Sequence, residues 1–268
     1  MSGAPTNQEL FRATMAGEAT DALRQRRFFR RLPSDPRCKS CNAPFRLPGS
    51  LVARAMGRSP WGKNPRFCTQ CYTFLKQTGV EGAEVPVTIL FADVRGSTGL
   101  AEQLGPSEFT RRINRFYRVG SAAIIGTDGI VDKFVGDGVV GLYIPGLSGS
   151  GHAAQAIEAA RRIVAHSASA DGGVPIGAGV HTGIAFVGAM GSRGEVDDFT
   201  ALGDTVNTAA RLGSEAVAGE ILASRATVTE AGLNVAALDQ RRMELKGRQE
   251  PIDVVALTAK AGQVPPGS

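Results

Sequence analysis

The sequence predicts an α+β fold in which helices cover a mainly antiparallel sheet, with a small four-cysteine module ahead of it. Three observations predict it. From residue 87 onward, short apolar runs alternate with helix-periodic segments. Glycine, 34 of 268 residues, gathers between those runs, where turns and close backbone approaches need it. The only four cysteines form two CxxC pairs, Cys38 with Cys41 and Cys68 with Cys71. With 43% hydrophobic and 21% charged residues, the composition is that of a globular chain with one substantial core and a small appendage.

Residues 1–19 read as a polar, flexible leader, and residues 20–78 as a basic metal-binding module. The stretch DALRQRRFFRRL (21–32) has the pattern of a short basic amphipathic helix, with Leu23, Phe28 and Phe29 available for contact and Pro33 and Pro36 limiting it. Such a helix either docks on the rest of the protein or makes weak peripheral contact with a membrane surface. Each CxxC loop brings two sulfurs to one tetrahedral ion, and two loops complete four soft ligands. The module has little apolar material, so a bound metal supplies much of its folding energy. Zn²⁺ is the first expectation and an iron–sulfur cluster the alternative, with redox-active or plain buried thiols the other readings.

Residues 79–86 read as a linker. VTILFADV (87–94) is a buried strand, and 106–125 a helix carrying Phe109, Ile113, Phe116 and Tyr117 at near-helical spacing. IVDKFV (130–135) and VVGLYI (139–144) are strands joined by GDG. An alanine-rich helix over 151–167 leads into strand and turn material at 175–190. A helix covers 204–216, and residues 233–257 are mostly strand with a turn at Lys246-Gly247. Residues 259–268 read as a flexible tail. The count and order suit a ferredoxin-like core with extensions over 87–258.

Charge is unevenly placed. Residues 1–85 carry 14 Lys and Arg against 6 Asp and Glu, while the remainder is slightly acidic. The basic segment suits an anionic partner or a solvated surface. Arg37, Lys39 and Arg66 lie near the cysteines, but only Trp61, Phe67 and Tyr72 stand ready to stack bases, too sparse a set for an obligatory nucleic-acid partner. No apolar run approaches bilayer length and the first 30 residues hold no signal-like stretch, so a cytoplasmic location is expected. The absence of GxGxxG and GxxxxGK[ST] leaves a dinucleotide-binding fold and a P-loop unsupported.

Asp93 closes an apolar strand and precedes VRGST, while Asp137 occupies the tight turn of KFVGDGVV. Each alone is an ordinary cap or turn residue. Acids at two adjacent strand ends make a site for hard divalent cations that leaves room for phosphates. Strand alternation puts Lys133 in the row of Val131 and Val135, with Asp137 outside it, which hints at a site shared between subunits. Asn207 and Arg211, four apart on a helix, share a face, and an arginine so placed can meet charge developing on a phosphoryl group. His181 reads as a core or supporting residue, and His152 and His166 as helix-surface residues.

Together TILFADVRGST, DKFVGDGVVGLY, GVHTG, DDFTALGDTVNTAARL and ELKG, in this order and spacing, resemble the class III adenylate/guanylate cyclase catalytic domain over about residues 86–258. The resemblance implies that Asp93 and Asp137 hold two Mg²⁺ or Mn²⁺ ions, with the Val94 carbonyl a weaker ligand. It implies that Lys133 and Thr200 read the base, that Asn207 places the ribose and Arg211 meets the transition state, and that Lys246 contacts the triphosphate. Thr200 stands where many members have Asp. A lysine donor and a threonine hydroxyl both suit adenine, so ATP is the expected substrate and cyclic AMP the product. The resemblance further implies a homodimer with composite sites, one protomer supplying the aspartates and its partner the remaining groups.

Overall fold

A computed structural model describes residues 6–18, 20–62, 67–77, 82–169, 173–190, 198–246, 248 and 250–259. Helices α1 (Asn7–Ala16), α2 (Thr20–Arg30), α3 (Gly49–Ala55) and α4 (Thr69–Gln77) precede β1 (Gly82–Val94). There follow α5 (Ser97–Gly126), β2 (Ile130–Val135), β3 (Gly138–Tyr143), the single turn α6 (Pro145–Ser148) and α7 (His152–Ser169). The chain ends with β4 (Ile176–Met190), β5 (Asp198–Leu202), α8 (Asp204–Glu215), β6 (Glu220–Ser224), α9 (Arg225–Glu230), β7 (Asp239–Met243) and β8 (Ile252–Thr258). The expectations for Arg66, Gly247, the His166 side chain, residues 79–81 and the tail from 260 fall outside the described residues.

The sheet runs β2-β3-β1-β4-β6-β8-β7, with β5 paired to β4. The first four strands, with α5 and α7 between them in the chain, have the order of the ferredoxin-like core the sequence predicts. β4 and β6 run parallel, while β1–β3, β2–β3, β4–β5, β6–β8 and β7–β8 are antiparallel. Leu90 and Ala92 of β1, Phe116 and Ile124 of α5, and Ile157 and Ile163 of α7 share one buried cluster. Burying each of the larger side chains contributes roughly 1.5–3 kcal/mol, and their sum fixes the sheet under its helices.

Contacts divide the chain into two compact units. One gathers Met1–Pro86, Ile144–Ser150 and Ala185–Leu202; the other gathers Val87–Tyr143, Gly151–Ile184 and Gly203–Ser268.

In the first unit the expected leader is corrected. Residues 7–16 are a helix, started by a capping box in which Thr6 and Glu9 bond reciprocally and stopped at Gly17 in the left-handed region (φ 85°). Phe11 and Met15, four apart, are buried. Such a helix forms because its cap and its apolar stripe agree. Its close neighbour is α6: a Cβ placed on Gly146 would stand 1.8 Å from the Thr14 carbonyl oxygen. The expected linker is corrected as well, since residues 82–86 already belong to β1 and bury Ala83 and Val85.

In the second unit α5 starts at Ser97 rather than at 106. It holds a break at Gly105 (φ 72°), after which Pro106 restarts the helix. The sequence reading also passes over β6 and α9, short elements of 5 and 6 residues.

Candidate active site

β1 and the β2–β3 hairpin place the two aspartates. Asp93 lies opposite Gly138 in the β1–β3 ladder, and the hairpin turns on Gly136 and Asp137. Gly136 has φ 59°, a conformation that glycine adopts without strain, and this permits a two-residue turn. Gly138 matters for a different reason: a Cβ there would stand 3.3 Å from Asp93 Oδ1, so the missing side chain leaves the carboxylate its place. The Val94 N–H donates to the Asp137 carbonyl at 3.4 Å, which ties the strand end to the turn.

Burial first, and the neighbouring Asp137 carboxylate second, push the Asp93 carboxyl above its usual range, while Arg95 pulls it down. The Arg95 guanidinium pairs with Asp93 and donates a second bond to the Ser214 carbonyl at 2.7 Å. A strand-end acid whose charge is disfavoured by burial and by a second carboxylate suits divalent cations, which offset that cost and prefer oxygen donors. Arg95 is a residue the sequence reading misses. Its signal was the arginine two residues after the strand-end acid.

Lys133 departs from simple alternation. The β2–β3 register shifts between Val131 and Lys133, so Asp132 sits in a bulge, with Val131 opposite Gly141 and Lys133 opposite Val140. The expected row of 131, 133 and 135 is therefore broken, because the bulge adds one residue to that edge. Asp132 is buried, and its carboxylate lies 3.3 Å from the Lys133 ammonium, which keeps 45% of its side chain exposed. Phe134 and Val135 beyond it are exposed, and the Phe134 ring lies 4.3 Å from that of Tyr117, whose hydroxyl donates to the Gly136 carbonyl.

Asn207 and Arg211 lie one turn apart on α8, exposed and half-buried respectively. The N-terminal half of α8 is anchored by Thr205, which donates to the Ile184 carbonyl at 2.5 Å. Lys246 is exposed after β7, held in place by buried Leu245 and by Arg248, which donates to Asp204 (2.8 Å) and Thr208 (2.7 Å). Among the described residues, no hydrogen bond or ion pair joins Lys133, Asn207, Arg211 or Lys246 to the aspartate pair. Thr200 belongs to the first unit, buried on β5 opposite Gly188 of β4.

His152 is corrected from surface to core: it is 2% exposed, bonded to the Thr88 hydroxyl at 2.8 Å, and burial lowers its pKa against the opposing pull of Glu230. His181 is bonded to Ser224 at 2.8 Å, and burial lowers its pKa to about 4.

The four cysteines of the first unit come together. Their sulfurs all lie within 4.8 Å of one another, with Cys41 and Cys68 at 3.7 Å, an arrangement able to hold a metal ion. The Cys68 N–H donates to Cys38 Sγ at 3.2 Å, and buried Arg58 donates to Cys71 Sγ at 3.3 Å and Cys68 Sγ at 3.6 Å. These donors favour thiolates, the ligating form. Sulfur contacts led by Cys38 push the Cys68 thiol well down, while burial pushes Cys38 up and the neighbouring sulfurs push Cys71 up.

Among the described residues, groups offered to nucleic acid have partners within the chain. Trp61 and Tyr72 stack on each other at 3.5 Å, Phe67 is buried, and Arg37 donates to the carbonyls of Phe29, Leu32 and Asn42. The 21–32 helix docks inward through Arg26 and Phe29. No described helix is long and apolar enough to cross a membrane.

Residues 81–258 match the family model of the adenylate and guanylate cyclase catalytic domain. An adenylate cyclase of Anabaena cylindrica is 31% identical over 50% of this chain and 29% of its own, and adenylate cyclase 1 of Rhizobium meliloti is 30% identical over 63% and 27%. The chain thus spans less than a third of the length of these curated relatives. Among solved structures, the guanylyl cyclase Cya2 superposes with a TM-score of 0.60 at 27% identity, over 66% of this chain and 93% of its own. The adenylyl cyclase CyaB from P. aeruginosa superposes with 0.59 at 26%, over 69% and 100%. With the strand order and the paired strand-end acids, these matches mean that the chain belongs to the adenylate and guanylate cyclase catalytic-domain family.

Proposed function

We propose that the protein is an adenylate cyclase, converting ATP to cyclic AMP and pyrophosphate in a homodimer. The observation that carries the reading is the pair Asp93 and Asp137, set side by side where β1 ends and the hairpin turns, with Asp137 raising the cost of charge on Asp93. These carboxylates, with the Val94 carbonyl, would hold two Mg²⁺ or Mn²⁺ ions. Such ions, when bound, ease deprotonation of the ribose 3′-hydroxyl and neutralise phosphate oxygens.

The chain's own groups do the remainder. The 3′-oxygen attacks the α-phosphorus and pyrophosphate leaves. Arg211 meets the charge that develops on the phosphoryl group, Asn207 holds the ribose, and Lys246 holds the triphosphate. The N-terminus of α5 opens three residues after Val94, and its first-turn N–H groups favour phosphate. Lys133, steadied by Asp132, donates to the adenine ring, and the Thr200 hydroxyl accepts from its amino group. Membership of the cyclase family supports sites completed by a partner protomer, one chain giving the aspartates and the other Arg211.

For the cysteines the proposal is Zn²⁺. Sulfurs bound at about 2.3 Å to one tetrahedral ion stand roughly 3.8 Å apart, whereas a multi-iron cluster spreads its thiolates over several irons; Cys41 and Cys68 stand at 3.7 Å and all four sulfurs within 4.8 Å. Free thiols poised for a metal suit a reducing compartment, so cytoplasmic placement is part of the proposal.

The test is a Mn²⁺ assay with ATP and with GTP, product separated by chromatography, beside the Asp137→Ala variant. Cyclic AMP that disappears in the variant is the expected result. Cyclic GMP as the main product would overturn the assignment of Lys133 and Thr200, and product undiminished in the variant would overturn that of Asp137.

A further inference from the structure

The loop between Cys38 and Cys41 reaches beyond its metal. Lys39 of that loop donates from Nζ to the carbonyl of Phe199 at 2.8 Å, 160 residues away in the chain and one residue before Thr200. β5 pairs with β4 among the described strands, and the Lys39 ammonium is a donor that reaches this strand from the cysteine loop.

The lysine is itself held at its base. Arg26 of α2, 1% exposed, donates to the carbonyls of Lys39 (3.0 Å) and Ser40 (2.6 Å). The Cys38 N–H donates to the Ala43 carbonyl at 2.9 Å, closing the loop behind the sulfurs. A side chain rooted in so fixed a loop transmits the loop's position to whatever it grips.

We propose that Lys39 is a positioning residue for nucleotide recognition: anchored by the four-cysteine centre, it helps fix β5 and with it Thr200, the residue assigned above to the base. This rests on the reading of Thr200 given above. The ammonium–carbonyl bond locates a strand edge, so its loss lets Thr200 wander and blurs the distinction between adenine and guanine. Chemistry at the phosphates is left alone.

The experiment measures binding of 3′-deoxy-ATP and 3′-deoxy-GTP, which lack the attacking oxygen and so cannot cyclise, to the full chain with Mn²⁺. Wild type is compared with Lys39→Met, Lys39→Arg and Thr200→Ala, using samples that retain their full complement of cysteine-bound metal. Lys39→Met should weaken 3′-deoxy-ATP binding up to about tenfold and narrow the preference over 3′-deoxy-GTP, the ceiling being the loss of the one base hydrogen bond assigned to Thr200. Lys39→Arg should restore most of it. In turnover, the Lys39→Met effect should appear in KM with kcat little changed.

Wild-type affinity and preference in Lys39→Met, beside a clear loss in Thr200→Ala, would overturn the role of Lys39 while leaving that of Thr200 standing. No change in either variant would overturn both. A Lys39→Met variant that melts earlier but discriminates normally would reduce Lys39 to a structural tie and also overturn the proposal. Lys39→Gln carries the same test should Lys39→Met fail to keep its metal.

Discussion

Arg95 and Arg58 do comparable work in different places: each sets a guanidinium against a cluster of acceptors, Asp93 and the Ser214 carbonyl for one and two cysteine sulfurs for the other. Arg58 donates to two sulfurs of the cysteine centre, and outer partners of this kind commonly govern metal affinity by 10- to 100-fold. Arg58→Gln should therefore lower affinity for the cysteine-bound ion by about tenfold, read by competition with a coloured chelator. His181 makes a prediction about pH. Its pKa of about 4 in the fold lies below the unfolded value near 6.5, so the unfolded chain takes up the proton first as pH falls. The stability it contributes is complete above pH 6.5 and is lost on descending through pH 4, a total of about 3 kcal/mol. Urea unfolding at pH 7 and pH 5 should show the loss, and His181→Gln should flatten it. The residues legible in sequence are those that announce chemistry by spacing, the cysteine pairs and the strand-end aspartates. Arg95, Arg58, Arg26 and the bulged Asp132 were not, because their meaning lies in which distant backbone or sulfur they meet.

Elements were legible where apolar periodicity was strong and long. The hairpin over 130–143, α7, β4 and α8 follow from it. α1 escaped notice although it carries both a capping box and the pair Phe11 and Met15, since a 10-residue helix with few apolar side chains resembles a polar tail until its neighbour is known. The neighbour is α6, four residues long, whose Gly146 admits the α1 backbone at a distance no side chain allows. Gly146→Val should destabilise the protein by several kcal/mol through that clash. A fall in the urea midpoint with an unchanged cleft chemistry is the expected signature, and an unaltered midpoint would mean that α1 does not dock there. The 82–86 stretch illustrates a related lesson. Glycine, acid and proline gave it the look of a linker, yet alternation places Ala83 and Val85 on the buried side of a strand.

At the scale of the molecule, the sequence led to the family and to the order of its sheet, and it drew the module boundary along the chain. The contacts draw it differently, since residues 144–150 and 185–202 belong with the N-terminal segment. Chain order hides such a grouping because it depends on long-range pairing. If catalysis needs two protomers, specific activity should fall as the enzyme is diluted through its dimer dissociation constant, and light scattering over the same range should show the mass halve. Activity proportional to concentration throughout would leave a single chain sufficient. Withdrawing the cysteine-bound ion should unfold the first unit ahead of the second, seen as early loss of amide protection in residues 20–77.

The split make-up of the first unit also bears on its birth at the ribosome. Its cysteines emerge early, but β5, the last segment of the unit, is made more than a hundred residues later. At ordinary translation speeds that interval is on the order of ten seconds. For that time the four-cysteine loops must keep their shape without β5, because the Phe199 carbonyl that the Lys39 ammonium meets has not yet been made.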